Sequence, residues 1–358
     1  MSAETGRGAR PVAPAPRLLV VDLRSTAAAF TLPERVARAI TDATPDGWRV
    51  HVVESVTDSF GDGAQQPSDE ALALIPDAEA YVGFGMPKSL FLAGKRLRWV
   101  QTGTAGVASL LFDEMQRSDV TLTNAAGIYG PTIAEHVLAG VLHFLRALDV
   151  AEELRASKTW DQGAFGTPRA AVREIDECRV LVIGAGGLGS EIAWRFQALG
   201  ARVTGVRRRP ELGAPRGFDA IHGPGDIDAL LPAADVLVLA TPLTGDTQAL
   251  LGAERLARLP QDAIVCNVAR GALVDEPALV AALESRRVRG AVLDVFAREP
   301  LAADSALWHL PQVVHTPHVS GVSPRRFWDR LQDLIIDNWS RYRAGARLRN
   351  VVDKRAGY

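Results

Sequence analysis

A chain of 358 residues is long enough for two domains, each with its own core. With 47% hydrophobic and 23% charged residues and a formal net charge of -2 it has the balance of a soluble globular protein; nothing in that balance points to a nucleic-acid surface. No apolar stretch reaches the ~18 residues needed to span a bilayer, and the two cysteines, Cys178 and Cys266, lack metal-ligand spacing and sit beside expected buried strands. Reduced core thiols, no bound metal and a cytoplasmic setting are therefore expected.

Met1–Arg17 is rich in Ala, Pro, Gly and Arg without an apolar h-region, and reads as a flexible tail rather than a signal peptide. Strands are predicted at Leu18–Val21 (followed by Asp22), Trp48–Val53, Ala80–Gly83, Leu97–Gln101 and Val120–Asn124. Helical composition lies between them at Ala27–Ile40, Glu70–Leu74 and Ser89–Gly94. This alternation predicts an α/β domain built on a parallel sheet, with no glycine-rich phosphate turn of its own. Thr104, Ala105 and Gly106 follow the fourth strand, where open parallel sheets place ligands. Small residues there let backbone amides reach a carboxylate; a plain loop into the next helix fits the spacing equally well. Gly127–Pro131 punctuates the chain and marks the expected domain crossover. Thr132–Leu148 predicts one long apolar helix with too many buried-type positions for one face, expected to pack on both domains or on a second subunit.

The most informative stretch is Arg179–Gly189, in which the apolar run Val180–Ile183 ends in Gly184, Gly186 and Gly189, spaced G-x-G-x-x-G. A strand before and a helical pattern after favour dinucleotide binding over a ligand-free glycine turn. The first glycine permits the tight turn, the second lets backbone approach a pyrophosphate, and the third lets the helix pack closely on the strand. The next strand, Ala201–Val206, runs into Arg207-Arg208-Arg209, where an NAD site usually carries an acid. Guanidinium groups bind a 2′-phosphate that a carboxylate repels, so NADP is favoured over NAD; an exposed charge run that tolerates either cofactor is the alternative.

Further strands are predicted at Asp235–Ala240, which ends in Thr241-Pro242, at Ala263–Val268, at Ala291–Phe296, which contains Asp294, and at Val313–His318. Arg270 follows the second of these and suits anion recognition or a plain surface charge. Arg270, Glu299 and His318 thus come from the carboxyl ends of successive strands, and an imidazole with an acid and an arginine is a coherent chemical set. Phe327, Leu331, Leu334, Ile335 and Trp339 have helical spacing within Pro324–Tyr342 and read as core. Phe84, Met86 and Trp308 suit a substrate pocket or the core equally.

With these motifs in order, the chain resembles the D-isomer-specific 2-hydroxyacid dehydrogenases, and among them the glyoxylate and hydroxypyruvate reductases. The resemblance rests on Gly184–Gly189, Thr241-Pro-Leu-Thr244, Asn267-Val-Ala-Arg-Gly271, Leu293-Asp-Val-Phe296, Glu299-Pro-Leu301 and Thr316-Pro-His318. It is looser in the first half, where Asn124–Tyr129 and Ala134-Glu-His-Val-Leu-Ala139 match the family's crossover but Ala108 replaces a usual acidic residue.

The resemblance implies two doubly wound parallel-sheet α/β domains, with a Rossmann dinucleotide-binding domain (128–322) inserted into a flavodoxin-like substrate domain (18–127 with 323–358). It also implies a closing cleft and a homodimer. By the same resemblance Arg270 grips the 2-oxo acid carboxylate and polarises its carbonyl, His318 is the general acid and Glu299 pairs with it. The amides around Thr104, Ala105 and Gly106 hold the substrate carboxylate. Cofactor contacts are implied at Gly184, Gly186, Gly187, Leu188, Gly189, Arg207, Arg208, Thr241, Pro242, Val268, Asp294 and Gly321, with Asp294 orienting the nicotinamide carboxamide. A carboxylate beside an imidazole favours the protonated ring, which then gives its proton to a developing alkoxide. Formate-oxidising members carry glutamine in place of Glu299, which disfavours formate. Phosphite-type oxidation and a dinucleotide-sensing corepressor that binds protein partners are the competing functions.

Overall fold

The computed structural model describes residues 16–60, 63–64 and 66–357; Met1–Ala15, most of the expected tail, lie outside them. Arg17, expected to end that tail, instead opens the first strand, with its guanidinium on Glu79. The chain divides into two compact units, one running to Asn124 and resuming over Trp328–Ala356, the other spanning Ala125–Phe327.

In the first unit β1 (Arg17–Asp22) and β2 (Trp48–Val52) are followed by a short antiparallel hairpin, β3 (Ser59–Phe60) with β4 (Gly63–Ala64), which the sequence pattern did not announce. Then come β5 (Ala78–Gly83), β6 (Trp99–Thr102) and β7 (Thr121–Thr123). The five long-range strands are parallel in the order β2-β1-β5-β6-β7, the flavodoxin-like arrangement, whose direction switches between β1 and β5. Where one helix was expected over Ala27–Ile40 there is a 3-10 turn at Ala28–Phe30 and a helix at Glu34–Asp42, because Pro33 cannot continue the first turn and serves as the cap of the second. Helix Pro324–Arg343 brings Trp339 against Trp99 in a stacked pair. Asn338, fully buried, donates to Gln101 Oε1 at 2.9 Å, so the last helix is tied to β6 by a polar bond as well as by aromatic packing. Met86 is core in this unit, and Phe84 packs edge-on against Phe30 and Trp328.

The second unit holds β8 (Arg179–Ile183), β9 (Arg202–Val206), β10 (Ala220–His222), β11 (Val236–Leu239), β12 (Ile264–Asn267), β13 (Gly290–Leu293) and β14 (Val313–His315). All seven are parallel, in the order β10-β9-β8-β11-β12-β13-β14, the Rossmann arrangement with a seventh strand added. Apolar residues line both faces of the central strands, as a sheet covered by helices on both sides requires. The expected single helix over Thr132–Leu148 is two: Gly130–Leu145 and Leu148–Ala156, broken at Ala147, whose φ of 50° cannot continue a right-handed helix. The first packs on helix Gly187–Ala198 and on β12 and β13. It passes close to β13 at Gly140, where an added Cβ would lie 2.6 Å from the Val292 side chain. The last two strands end earlier than expected, at Leu293 and His315, since Pro317 has no amide to continue a ladder and the Asp294 side chain captures the backbone that follows. Among the described residues no helix is long and apolar enough to cross a membrane.

Candidate active site

Because the seven strands are parallel, every loop that follows them opens on one edge of the sheet, and the candidate residues of this unit are collected there. At the end of β8 the chain turns at Gly184 with φ of 112°, and a Cβ at this position would stand 2.4 Å from the Ala240 carbonyl oxygen. A Cβ on Gly189 would stand 2.0 Å from the Gly184 carbonyl oxygen, so only glycine lets helix Gly187–Ala198 seat on the strand. Gly186 and Gly187 are exposed and face open space, Leu188 is half-buried, and Gly186 caps the helix without a side chain. The first amides of a twelve-residue helix are thus left pointing outward, an arrangement suited to an anion.

Gly184 and Ala185 both donate their amides to the Val206 carbonyl, at 2.9 and 3.0 Å, which fastens the glycine turn to the end of β9. Arg207 and Arg208 follow at once. Arg207 is half-buried, with Nη1 donating to the Gly213 carbonyl at 3.3 Å, and Arg208 is exposed. Thr241 and Pro242 leave the end of β11, where Ala240 donates its amide to Ile183. Val268 is buried after β12, and Gly321 lies against the ring of Tyr129, whose phenol burial pushes up.

Arg270, Glu299 and His318 emerge after β12, β13 and β14, three neighbours in the sheet. Asn267 Nδ2 donates to the Arg270 carbonyl at 2.9 Å, and its Oδ1 accepts from the Ala269 amide, so a buried asparagine shapes the turn that carries the arginine. Glu299 divides its carboxylate: Oε1 accepts from the Phe296 amide at 3.0 Å and Oε2 lies 2.8 Å from His318 Nδ1. The acid is fixed by backbone, the ring is fixed by the acid, and Nε2 is the nitrogen left over.

Asp294 was expected to face the nicotinamide. It is 1% exposed, and both carboxylate oxygens are engaged by the loop before helix Pro324–Arg343. Thr316 Oγ1 donates to Oδ1 at 2.6 Å, the Val319 amide to Oδ1 at 2.8 Å, and the Ser320 amide and hydroxyl both reach Oδ2. Its side chain therefore holds the His318 loop. The loop needs holding, since His318 has a φ of 54°, unusual for a residue with a Cβ. Thr316 supplies the connection that sequence reading missed; the motif Thr316-Pro-His318 had drawn notice to its histidine alone.

In the other unit, at the carboxyl end of β6, Thr104 is committed to its own turn. Its amide donates to Thr102 Oγ1 and its hydroxyl to the Gly106 carbonyl at 2.8 Å. Asn124 Nδ2 holds the Ala105 carbonyl at 2.8 Å. Ala105 is exposed and Gly106 half-buried, while the Thr104 amide is already bonded within its own turn. At the switch between β1 and β5, Asp22 is buried and accepts from the Tyr81 hydroxyl at 2.8 Å, while its Oδ1 accepts from no group among the described residues. Burial, with a smaller contribution from Glu70, pushes this carboxyl up to about 6 against the opposing effect of the Tyr81 bond.

Residues 138–320 match the family model described as D-isomer specific 2-hydroxyacid dehydrogenase, NAD binding domain. This chain belongs to that family. The enzyme is thus an NAD(P)-dependent 2-hydroxyacid dehydrogenase that reduces a 2-oxo acid. It is 34% identical over 269 residues to glyoxylate/hydroxypyruvate reductase B of Pectobacterium carotovorum, an alignment that spans 73% of this chain and 81% of the relative. Among solved structures, a D-isomer specific 2-hydroxyacid dehydrogenase family protein from Aeromonas salmonicida superposes with a TM-score of 0.77 at 29% identity, covering 94% of this enzyme and 99% of that chain. An NADPH-dependent glyoxylate/hydroxypyruvate reductase from Sinorhizobium meliloti, solved with NADP and sulfate, gives a TM-score of 0.75 at 27% identity, covering 96% and 100%.

Proposed function

We propose that this dehydrogenase reduces a small 2-oxo acid of the glyoxylate or hydroxypyruvate type to the D-2-hydroxy acid, with NADPH preferred over NADH. The observation that carries the reading is the His318–Glu299 contact at 2.8 Å on the same sheet edge as Arg270 and the open glycine turn. The names of the Pectobacterium and Sinorhizobium proteins support the substrate class, and the family's own description supports the D configuration.

The outward amides after Gly186, where an added Cβ would meet nothing, fit a dinucleotide pyrophosphate. Gly184, Gly186, Gly187, Leu188 and Gly189 would hold it, with Thr241, Pro242, Val268 and Gly321 beside it. Bound there, the nicotinamide supplies the hydride. Arg207 and Arg208 would hold the adenosine 2′-phosphate, and β9 ends with no carboxylate to repel it. The NADP held by the Sinorhizobium reductase supports this preference.

Arg270 binds the substrate carboxylate and draws electron density from the neighbouring carbonyl. His318, its Nδ1 taken by Glu299, presents Nε2 to the oxygen that becomes the hydroxyl. The Glu299 carboxylate stabilises the imidazolium before the proton leaves and keeps the ring in the orientation that delivers it. Glyoxylate, hydroxypyruvate, pyruvate and phenylpyruvate offered with NADPH and NADH in parallel test the reading by loss of nicotinamide absorbance. The fastest oxidation is expected with NADPH and one of the first two acids. Turnover with NADH alone would overturn the role of Arg207 and Arg208, and turnover confined to phenylpyruvate would overturn the substrate class.

A further inference from the structure

His136 lies on helix Gly130–Leu145, half-buried, with Nε2 at 3.3 Å from Thr316 Oγ1. The direction of this contact follows from its neighbour. Thr316 Oγ1 is 2.6 Å from Asp294 Oδ1, and an ionised carboxylate only accepts, so the single hydroxyl proton of Thr316 is directed to Asp294. The threonine oxygen can then meet His136 only as an acceptor, which requires the proton of the imidazole on Nε2. A chain of donors runs from His136 through Thr316 to Asp294. From there, the Val319 and Ser320 amides donate back to the same carboxylate, and the His318 amide donates to the Asp294 carbonyl at 2.9 Å.

We infer that His136 is a positioning residue for His318. By donating to the Thr316 oxygen it strengthens the bond from that hydroxyl to Asp294, and Asp294 in turn keeps His318 at φ of 54° with its ring on Glu299. Without the His136 donor, the threonine oxygen keeps an unmet acceptor site, and its own donation to Asp294 loses the polarisation that an accepted hydrogen bond supplies. The carboxylate is then held less firmly at the point where the loop begins. The inference rests on the proposed acid role of His318, and its consequence for rate is read through that role.

The test uses the full-length enzyme with His136→Leu, His136→Gln, Thr316→Val and Thr316→Ser. Glutamine offers a donor at the end of its amide that can stand in for Nε2–H, and serine retains the hydroxyl. A fall in kcat of about tenfold is expected for the leucine and valine variants, the scale of a misplaced acid, with substantial recovery in the glutamine and serine variants. The pH profile of kcat should move in the first two and return in the second two, which a loss of helix packing would not produce. In parallel, nitrogen NMR of histidine-labelled protein without substrate reads the His136 tautomer and the titration of the His318 ring. A proton on Nε2 of His136, and a His318 titration altered by His136→Leu, are the expected results. An Nδ1-protonated neutral His136, or a leucine variant with unchanged kcat and His318 titration, would overturn the relay. Because the spectra need no turnover, an enzyme inactive toward all four acids would refute the proposed function while leaving the relay separately decided.

Discussion

Each unit buries an aspartate at the carboxyl edge of its parallel sheet, and the two are treated in opposite ways. Asp294, after β13, receives hydrogen bonds from Thr316, Val319 and Ser320 on both oxygens, and its charge is matched by donors from a single loop. Asp22, at the end of β1, has the Tyr81 hydroxyl on one oxygen and nothing among the described residues on the other. Burial depth is similar, 1% against 5% exposed, so the difference lies in the number of donors aimed at the group. A satisfied buried carboxylate organises the backbone around it, whereas an unsatisfied one costs stability whenever it is ionised.

Asp294→Asn breaks the first half of this contrast and should have the larger effect. An asparagine brings two N–H donors into a space already filled with donors, so Thr316 or the Ser320 amide must lose its acceptor. A loss of about 3 kcal/mol in unfolding free energy is expected. A fall of about 100-fold in kcat/KM for the 2-oxo acid should accompany it as His318 leaves its position. Denaturant unfolding and steady-state rates on the same preparation check both. An asparagine variant that matches the wild-type enzyme in both would show that the loop holds itself.

Asp22→Asn sharpens the other half, with the opposite sign and a smaller size. The folded state holds the Asp22 proton up to about pH 6, above the ordinary carboxylate value near 3.8. The folded chain therefore binds more protons than the unfolded chain across that window, and stability falls as pH rises through it. The penalty is absent below about pH 4 and complete above the folded value. Asparagine keeps an oxygen for the Tyr81 hydroxyl and removes the charge, so it should stabilise the protein by about 2 kcal/mol at pH 8, with the gain vanishing at pH 4. Unfolding midpoints at the two pH values provide the check, and an equal effect at both would mean that the charge of Asp22 carries no penalty.

What the sequence made legible was local. The glycine turn announced itself because a strand, three spaced glycines and a helix lie within about twenty residues, and Arg207 because it follows its strand directly. The pairing of Glu299 with His318 was implied by the family resemblance, and the structure brings them to 2.8 Å. The contacts that explain the two aspartates join distant parts of the chain: Asp22 meets Tyr81, and His136 meets Thr316 across most of the second unit. Nothing in spacing marks such a pair. His136 was visible in Ala134-Glu-His but looked like part of an apolar crossover helix. The break at Ala147 was equally hidden, since an alanine is a good helix former and only tertiary context forces its left-handed turn. The short strand β10 and helix Glu276–Glu284 escaped because one is three residues long and the other begins with an N-cap, Asp275, in a stretch of mixed pattern.

The proposed reducing site is Arg270 with the His318–Glu299 pair. The most direct test compares wild-type enzyme and Arg270→Ala, each preloaded with NADPH and mixed with hydroxypyruvate, by the decay of nicotinamide absorbance. Wild-type turnover with a loss of about a thousandfold in kcat/KM in the variant, and NADPH affinity unchanged, is the expected result for a removed carboxylate clamp. Equal rates in the two proteins would contradict the site.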